Sequence, residues 1–216
     1  MNTDWQSFAV QLSIWAVPTM FAIITHEVMH GVVAKALGDD TAERAGRLTL
    51  NPISHIDPFG TILMPAVLML LHMPVFGYAK PVPVDFRRLR NGRIGMVMVA
   101  AAGPLTNLTL AVMSAVALRL IILQQGSDLA YAIVLPLAKM AEASVLINIA
   151  LAVFNLFPLL PLDGGRVLAG LLPIRLAWRF SRLEPYGFLI LVLLLNTNVV
   201  RSVISPVIEA MARVLL

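Results

Sequence analysis

Residues 23–31 read Ile-Ile-Thr-His-Glu-Val-Met-His-Gly and lie inside an apolar run extending from about Phe8 to Leu37. Such a run is long enough to cross a hydrocarbon core of about 30 Å at about 1.5 Å per residue, with more than a turn projecting. Two histidines and a glutamate are costly there. Charged types cost about 2.5–3.5 kcal/mol each at the centre of an inserted helix, so ionisable groups kept at that depth mark function by default. His26 and His30 stand four residues apart, which puts both imidazoles on one helix face, within reach of one metal ion. Glu27 follows the first histidine and can approach a water at that ion. This is the H-E-x-x-H arrangement of zinc hydrolases, with the glutamate as general base. A lone intramembrane histidine often serves only to bond a neighbouring helix, but packing does not explain three ionisable groups at this spacing.

The rest of the chain agrees with a membrane setting. Of its 216 residues 13% are charged, against about 25% in ordinary soluble domains. The mean hydropathy is +0.85. Cysteine is absent, which excludes a disulfide framework and any thiolate metal site. A metal must therefore be held by His, Asp, Glu or backbone oxygen, and the chain offers 4 histidines and 12 acids. In a soluble protein the net charge of +4 would hint at nucleic acid. Here the basic residues cluster between apolar runs, as membrane topology requires, so the expected partner is the lipid bilayer and not a nucleic acid. Met1–Gln6 has no basic n-region and no small-residue cleavage site follows it, so the first run is expected to stay as a span.

Gly38-Asp39-Asp40 ends that span. Alternation in Arg47–Pro52 predicts a short strand or extended loop. Phe59–Phe76 is apolar but short for a span, with Pro65 in its middle and Pro74 near its end. The prolines of Gly77–Asp85 exclude helix and predict extended backbone, and a basic stretch follows. Ile94–Leu123 and Leu129–Leu156 are apolar runs joined by Gln124–Asp128, which lacks Lys and Arg. Phe157–Arg166 is broken by Pro and Gly. Leu172–Glu184 mixes Arg175, Arg179 and Arg182 with Trp178, as at an interface. Pro185–Val200 is read as a last span and Arg201–Leu216 as an amphipathic tail.

Charge sets the topology. If the N-terminus lies outside, the first span delivers Lys35, Arg44 and Arg47 to the cytoplasm. A full crossing by Phe59–Phe76 would put Lys80, Arg87, Arg88, Arg90 and Arg93 outside, against the positive-inside preference. A re-entrant hairpin keeps them inside, provided its backbone is buried in protein or lines a cavity. The expected fold is mainly α: a polytopic helical membrane protein with about four spans, one re-entrant hairpin and short cytoplasmic-side β segments. A single membrane-embedded domain covers 1–216, with its core at 8–166 and a C-terminal span and tail at 167–216.

A catalytic zinc wants a third protein ligand and an open position. Asp163 is the best candidate. It follows Pro158 and Pro161, which stop regular hydrogen bonding, and precedes Gly164-Gly165, which permit backbone closed to other residues. The plainer reading is an aspartate capping a helix. By the topology above, His26, His30 and Asp163 all fall toward the cytoplasmic side. His55 and Asp57 could supply a supporting acid or an alternative ligand, or be ordinary loop residues, and His72 is read as interfacial.

With both motifs quoted, the chain resembles the site-2 protease family of intramembrane zinc metalloproteases, over most of its length from the first span to about Arg166. His26-Glu27-x-x-His30 matches the family's first motif. Asn155-x-x-Pro158-x-x-Pro161-Leu162-Asp163-Gly164 matches the second, and Gly103-Pro104-Leu105-x-Asn107 resembles a further segment. The likeness is to the small prokaryotic branch, which lacks a PDZ domain. The resemblance implies one zinc per chain on His26, His30 and Asp163, which activates water. It also implies Glu27 as the base that takes a proton and later passes it to the leaving amine. Asn155, and with it Asn107, is assigned to the substrate backbone or the oxyanion, with helix capping as the alternative for Asn155. The implied substrate is a transmembrane protein whose helix unwinds locally. The extended segments 46–52 and 78–84 are suited to receive it by strand addition. The implied setting is the prokaryotic plasma membrane, with the active site toward the cytoplasm. Two rivals are a membrane binding protein that keeps the fold without cleaving, against which Glu27 argues, and a metal transporter, which would need polar groups through the depth of several spans.

Overall fold

The computed structural model describes residues 5–70, 78–123, 128–195 and 197–216. Helix α1 (Trp5–Ala36) ends at Gly38, whose φ of +104° suits a residue without a Cβ. Within it the hydroxyls of Ser13, Thr19 and Thr25 donate to the carbonyls of Ala9, Trp15 and Phe21, so each is satisfied inside its own helix. Helices α4 (Gly92–Ile122) and α5 (Asp128–Asn155) pack against α1 and against each other. Three helices among the described residues are long and apolar enough to cross a membrane: Ala9–Ala36, Gly92–Ile122 and Ile133–Asn155. Small side chains on α4, among them Ala100, Ala102, Ala111 and Ala115, are buried. They let the three backbones approach closely, which is how helices associate where lipid removes the hydrophobic drive.

A short helix α2 (Thr41–Arg44) and a tight turn Pro52–His55 follow α1. A wide helical turn Pro58–Leu63 then leads into α3 (Met64–Leu70). The wide turn ends just before Pro65, which lacks the N–H that a regular turn would use. The tip of the expected hairpin, with His72 and Pro74, falls outside the described residues, as does most of the polar turn 124–128.

The expected β segments do not form: no strand is present among the described residues. In 46–52 the side chains of Thr49 and Asn51 accept from the N–H groups of Asn51 and Ile53. These local turns compete with strand pairing. In 78–85 Pro81 and Pro83 donate nothing, and the segment is instead lashed down residue by residue. Tyr78 N–H donates to Gly60 O at 3.1 Å and Lys80 N–H to His55 O at 2.9 Å. Arg47 Nη2 reaches Lys80 O at 2.6 Å, and Asp85 N–H reaches Asp39 Oδ2 at 2.7 Å. Arg90 N–H donates to Leu37 O at 2.9 Å, which sets the start of α4 beside the end of α1. Burial pushes the Asp39 carboxyl up. The Thr41 hydroxyl, the N–H groups of Asp85 and Thr41 and the charge of Arg88 outweigh it and hold Asp39 below its ordinary value.

After α5 come α6 (Asp163–Leu171), α7 (Ile174–Ser181), α8 (Glu184–Leu195) and α9 (Asn198–Leu215). The expected span at 185–200 falls on two helices, α8 and the start of α9, with residue 196 outside the described residues. The 12 residues of α8 make only about 18 Å, short of a hydrocarbon core. The expected tail is a packed helix: Ile208, Met211, Ala212 and Leu215 of α9 lie against Ala111, Ala115, Val145 and Ile149. The apolar face that suggested a surface tail is spent on α4 and α5.

Candidate metal centre

The fourfold spacing on α1 brings His26 Nε2 and His30 Nε2 to 3.1 Å of each other. Asp163 Oδ2, at the start of α6, lies 3.1 Å from the first and 3.3 Å from the second. Both histidines are buried, at 6% and 9% exposure. Three glycines make this convergence possible. A Cβ on Gly103 of α4 would meet both Nε2 atoms at 2.6 Å, so only glycine lets α4 pass under the imidazoles. A Cβ on Gly164 would strike the Leu156 and Phe157 carbonyls, and one on Gly165 the backbone of Leu159 and Leu160. The pair therefore lets α6 fold back onto the turn that ends α5 and carry Asp163 to α1.

The protonation pattern shows what the cluster suits. His30 Nδ1 lies 2.7 Å from Val99 O, a carbonyl that can only accept. His26 Nδ1 lies 2.6 Å from Asn107 Oδ1, while the Asn107 amide nitrogen donates to Ala22 O and Asn148 Oδ1. Both rings thus carry their proton on Nδ1, and both Nε2 atoms present lone pairs. Asp163 Oδ2 is buried with no hydrogen-bond partner. With both imidazoles neutral, three acceptor atoms meet here, and they repel one another unless a cation joins them. In a tetrahedral site with ligands about 2.0–2.1 Å from zinc, neighbouring ligand atoms lie about 3.3–3.4 Å apart, close to the separations seen. The donor set fits zinc. Among the described residues His26, His30 and Asp163 form the one such cluster.

The centre opens into a cleft of about 160 Å³, lined in part by Glu27, Val82, Asn155 and Arg166. Glu27 turns its Oε2 toward the N–H of Val82 at 3.0 Å. Asn155 lines the cleft from the end of α5, with Nδ2 donated to Leu151 O at 3.0 Å. Asn107 is placed elsewhere than its sequence assignment. It is fully buried, both ends of its amide are engaged behind His26, and it does not reach the cleft. His55 and Asp57 stand apart from the cluster. His55 donates through Nε2 to Thr49 O, and Asp57 caps the N–H groups of Phe59 and Gly60. The sequence reading missed Arg166, which packs over the Phe86 ring at 5.4 Å. Its signal was available, three residues after Asp163 and so on the same helix face.

Comparison with known proteins gives a consistent picture. The model of "Peptidase family M50" matches residues 119–196. A Bacillus subtilis (strain 168) protein named "Putative zinc metalloprotease YwhC" is 36% identical over 206 residues, covering 94% of this chain and 90% of that protein. A Mycolicibacterium smegmatis protein named "Putative zinc metalloprotease Rip2" is 30% identical over 179 residues, covering 82% of this chain and 64% of that protein. No solved structure matches the chain significantly.

Proposed function

Because the chain belongs to peptidase family M50, we propose that it is an intramembrane zinc metalloprotease that hydrolyses peptide bonds within or near transmembrane segments of other membrane proteins. The observation that carries this reading is the convergence of three ligand atoms from α1 and α6 beside Glu27, in a cleft bounded by membrane-length helices.

His26, His30 and Asp163 hold one zinc per chain. When bound, zinc supplies Lewis-acid chemistry, acidifying water and polarising a carbonyl. Glu27 has Oε2 occupied by Val82 N–H, which leaves Oε1 to take the proton and return it to the leaving amine. Asn155 faces the cleft and holds the substrate backbone or the developing oxyanion. Asn107, with no free amide end, holds His26 instead. A substrate helix shields its carbonyls with its own hydrogen bonds, so it must unwind to be cut. Its freed backbone groups would cost several kcal/mol each if left unpaired in apolar surroundings. Backbone groups of 46–52 and 78–84 not engaged within the chain are the candidates to replace them, since both segments run beside the site: Leu48 and Val82 flank Gly31, one residue after His30.

The basic residues Lys80, Arg87, Arg88, Arg90 and Arg93 favour a cytoplasmic setting for this face. The Leu37–Arg90 hydrogen bond supports re-entry of 59–76, because the chain leaves α1 and enters α4 at one level. Four crossings then follow if α8 and α9 together complete the last.

The test compares membrane fractions of cells carrying the wild type or Glu27→Gln. Single-span proteins should accumulate uncut in the variant. Purified Glu27→Gln should keep its zinc, since no ligand is lost, and His26→Ala should lose it. A Gln variant that still cleaves would overturn the reading.

A further inference from the structure

His30 takes its protonation state from a backbone carbonyl, but His26 takes its state from a side chain that could in principle face either way. Asn107 can present oxygen or nitrogen to His26. With oxygen toward the ring, Nδ1 carries the proton and Nε2 is free to bind metal. With the amide reversed, NH₂ would donate to Nδ1, the proton would move to Nε2, and His26 could not be a ligand. Something must hold the amide one way round.

We propose that Asn148 on α5 is a positioning residue for the metal centre, acting through Asn107 to keep His26 in its metal-binding tautomer. The proposal rests on the zinc reading of His26, His30 and Asp163. Asn148 Oδ1 accepts from Asn107 Nδ2 at 2.7 Å, and Asn148 Nδ2 donates to Ser144 O at 2.9 Å. Ser144 O is a backbone carbonyl and can only accept, so the direction of the whole chain is fixed at that end. Ser144 C=O receives from Asn148, Asn148 C=O from Asn107, and Asn107 C=O from His26 Nδ1. Reversing Asn107 would set its oxygen against Asn148 Oδ1 and Ala22 O, acceptor against acceptor. The Ala22 bond is the weaker constraint at 3.2 Å, and Ala22 O also lies 3.1 Å from the Thr25 hydroxyl, whose one proton goes mainly to Phe21 O at 2.7 Å. The Ser114 and Ser144 hydroxyls, 2.8 Å apart, extend the network, and Ser144 Oγ also lies 3.2 Å from Asn148 Nδ2. Asn107 and Asn148 are 0% and 1% exposed. Two buried amides between membrane-length helices are costly unless every group is paired, and the His26 orientation gives that cost a purpose.

The experiment uses the purified full chain in detergent with Zn²⁺ as probe and a competing chelator to read Kd. Asn148→Leu should weaken zinc binding about 10- to 100-fold, the range for orienting partners of metal-bound histidines. Asn148→Asp, protonated when buried, keeps one acceptor and one donor and should stay within about 3-fold of wild type. Should the Leu variant not fold, Asn148→Ala carries the same expectation. The deciding measurement is in an Asn107→Asp background. Beside a zinc-bound imidazole whose Nδ1–H donates to it, a carboxylate at 107 stays ionised, with an acceptor oxygen at each end and no wrong way round, so Asn148→Leu should there cost no further affinity. A full loss in that background, or a Leu variant whose metal-free form melts lower while its zinc Kd is unchanged, overturns the proposal. His30→Ala is measured alongside. If it binds zinc like wild type, the zinc reading itself has failed, and the proposal with it.

Discussion

Val82 donates its backbone N–H to Glu27 Oε2 across 3.0 Å, and it is the one residue of Pro81-Val82-Pro83 that has an N–H to give. The prolines on either side stiffen the segment and leave a single donor aimed at the carboxylate. Glu27 is thereby held by a strand-like strap from outside its own helix, in one orientation.

Val82→Pro should therefore lower kcat about 10- to 100-fold, as expected for losing a hydrogen bond to a charged group worth about 1.5–3 kcal/mol. Zinc content should not change, since no ligand is touched. Val82→Ala keeps the N–H and gives up only side-chain packing, so it should stay within a few-fold of wild type. Equal losses in the two variants would show that the side chain matters and the N–H does not. Single-turnover cleavage of a transmembrane peptide, with zinc measured on the same samples, reads both quantities.

Gly103→Ala tests the passage of α4 under the metal centre. The added Cβ would sit 2.6 Å from both imidazole Nε2 atoms, closer than real Cβ contacts come, and the rings would have to turn. Zinc affinity should fall by at least about 10-fold, comparable to disturbing a ligand's orientation. Gly95→Ala is the control, because its Cβ would meet Leu89 at 3.1 Å, far from the ligands. An unchanged zinc Kd in Gly103→Ala would contradict the close passage of α4 beneath His26 and His30.

The two ligand motifs were legible because each is written locally. His26 and His30 share a helix face by arithmetic, and the prolines and glycines around Asp163 announce a break in an apolar helix. The partners of those residues were not legible, because they come from elsewhere in the chain. Nothing about Asn107 alone says that it will face Asn148 and not the cleft. Nothing in Pro-Val-Pro says that its N–H will find Glu27. The expected strand at 46–52 failed for a related reason: Thr49 and Asn51 read as alternation, but their side chains capture nearby N–H groups first. The apolar face of α9 was visible in sequence, while the α4 and α5 surface that covers it was not.

Asp39 gives a pH dependence with a definite sign. Its folded pKa lies below the ordinary 3.8, so the ionised form is favoured by folding. Its contribution to stability is complete above the unfolded value and is lost as pH falls through the lower folded value. Asp39→Asn removes the charge that Thr41 and Asp85 N–H groups serve, and should destabilise the chain at pH 7. The gap in melting temperature between wild type and variant should stay constant down to about pH 5 and close on further acidification. A gap that widened toward low pH would mean that the carboxyl is stabilised in its protonated form.

The final expectation concerns which side of the membrane the site faces. Lys80, Arg87, Arg88, Arg90 and Arg93 lie between α3 and the first turns of α4. The positive-inside preference predicts a cytoplasmic place for them. α1 and α4 run antiparallel: His30 meets Val99 while His26, one turn earlier, meets Asn107 two turns later. Leu37 and Arg90 are bonded at the shared end. A single complete crossing by 59–76 would have to separate residues that this bond joins, so re-entry is the path expected. The chain has no cysteine, which makes single substitutions clean probes. Asn91 is exposed between Arg90 and the start of α4. Asn91→Cys should resist an impermeant maleimide added to intact cells and react once the membrane is opened. Labelling from outside intact cells would place the basic loop, and the metal centre beside it, on the opposite face.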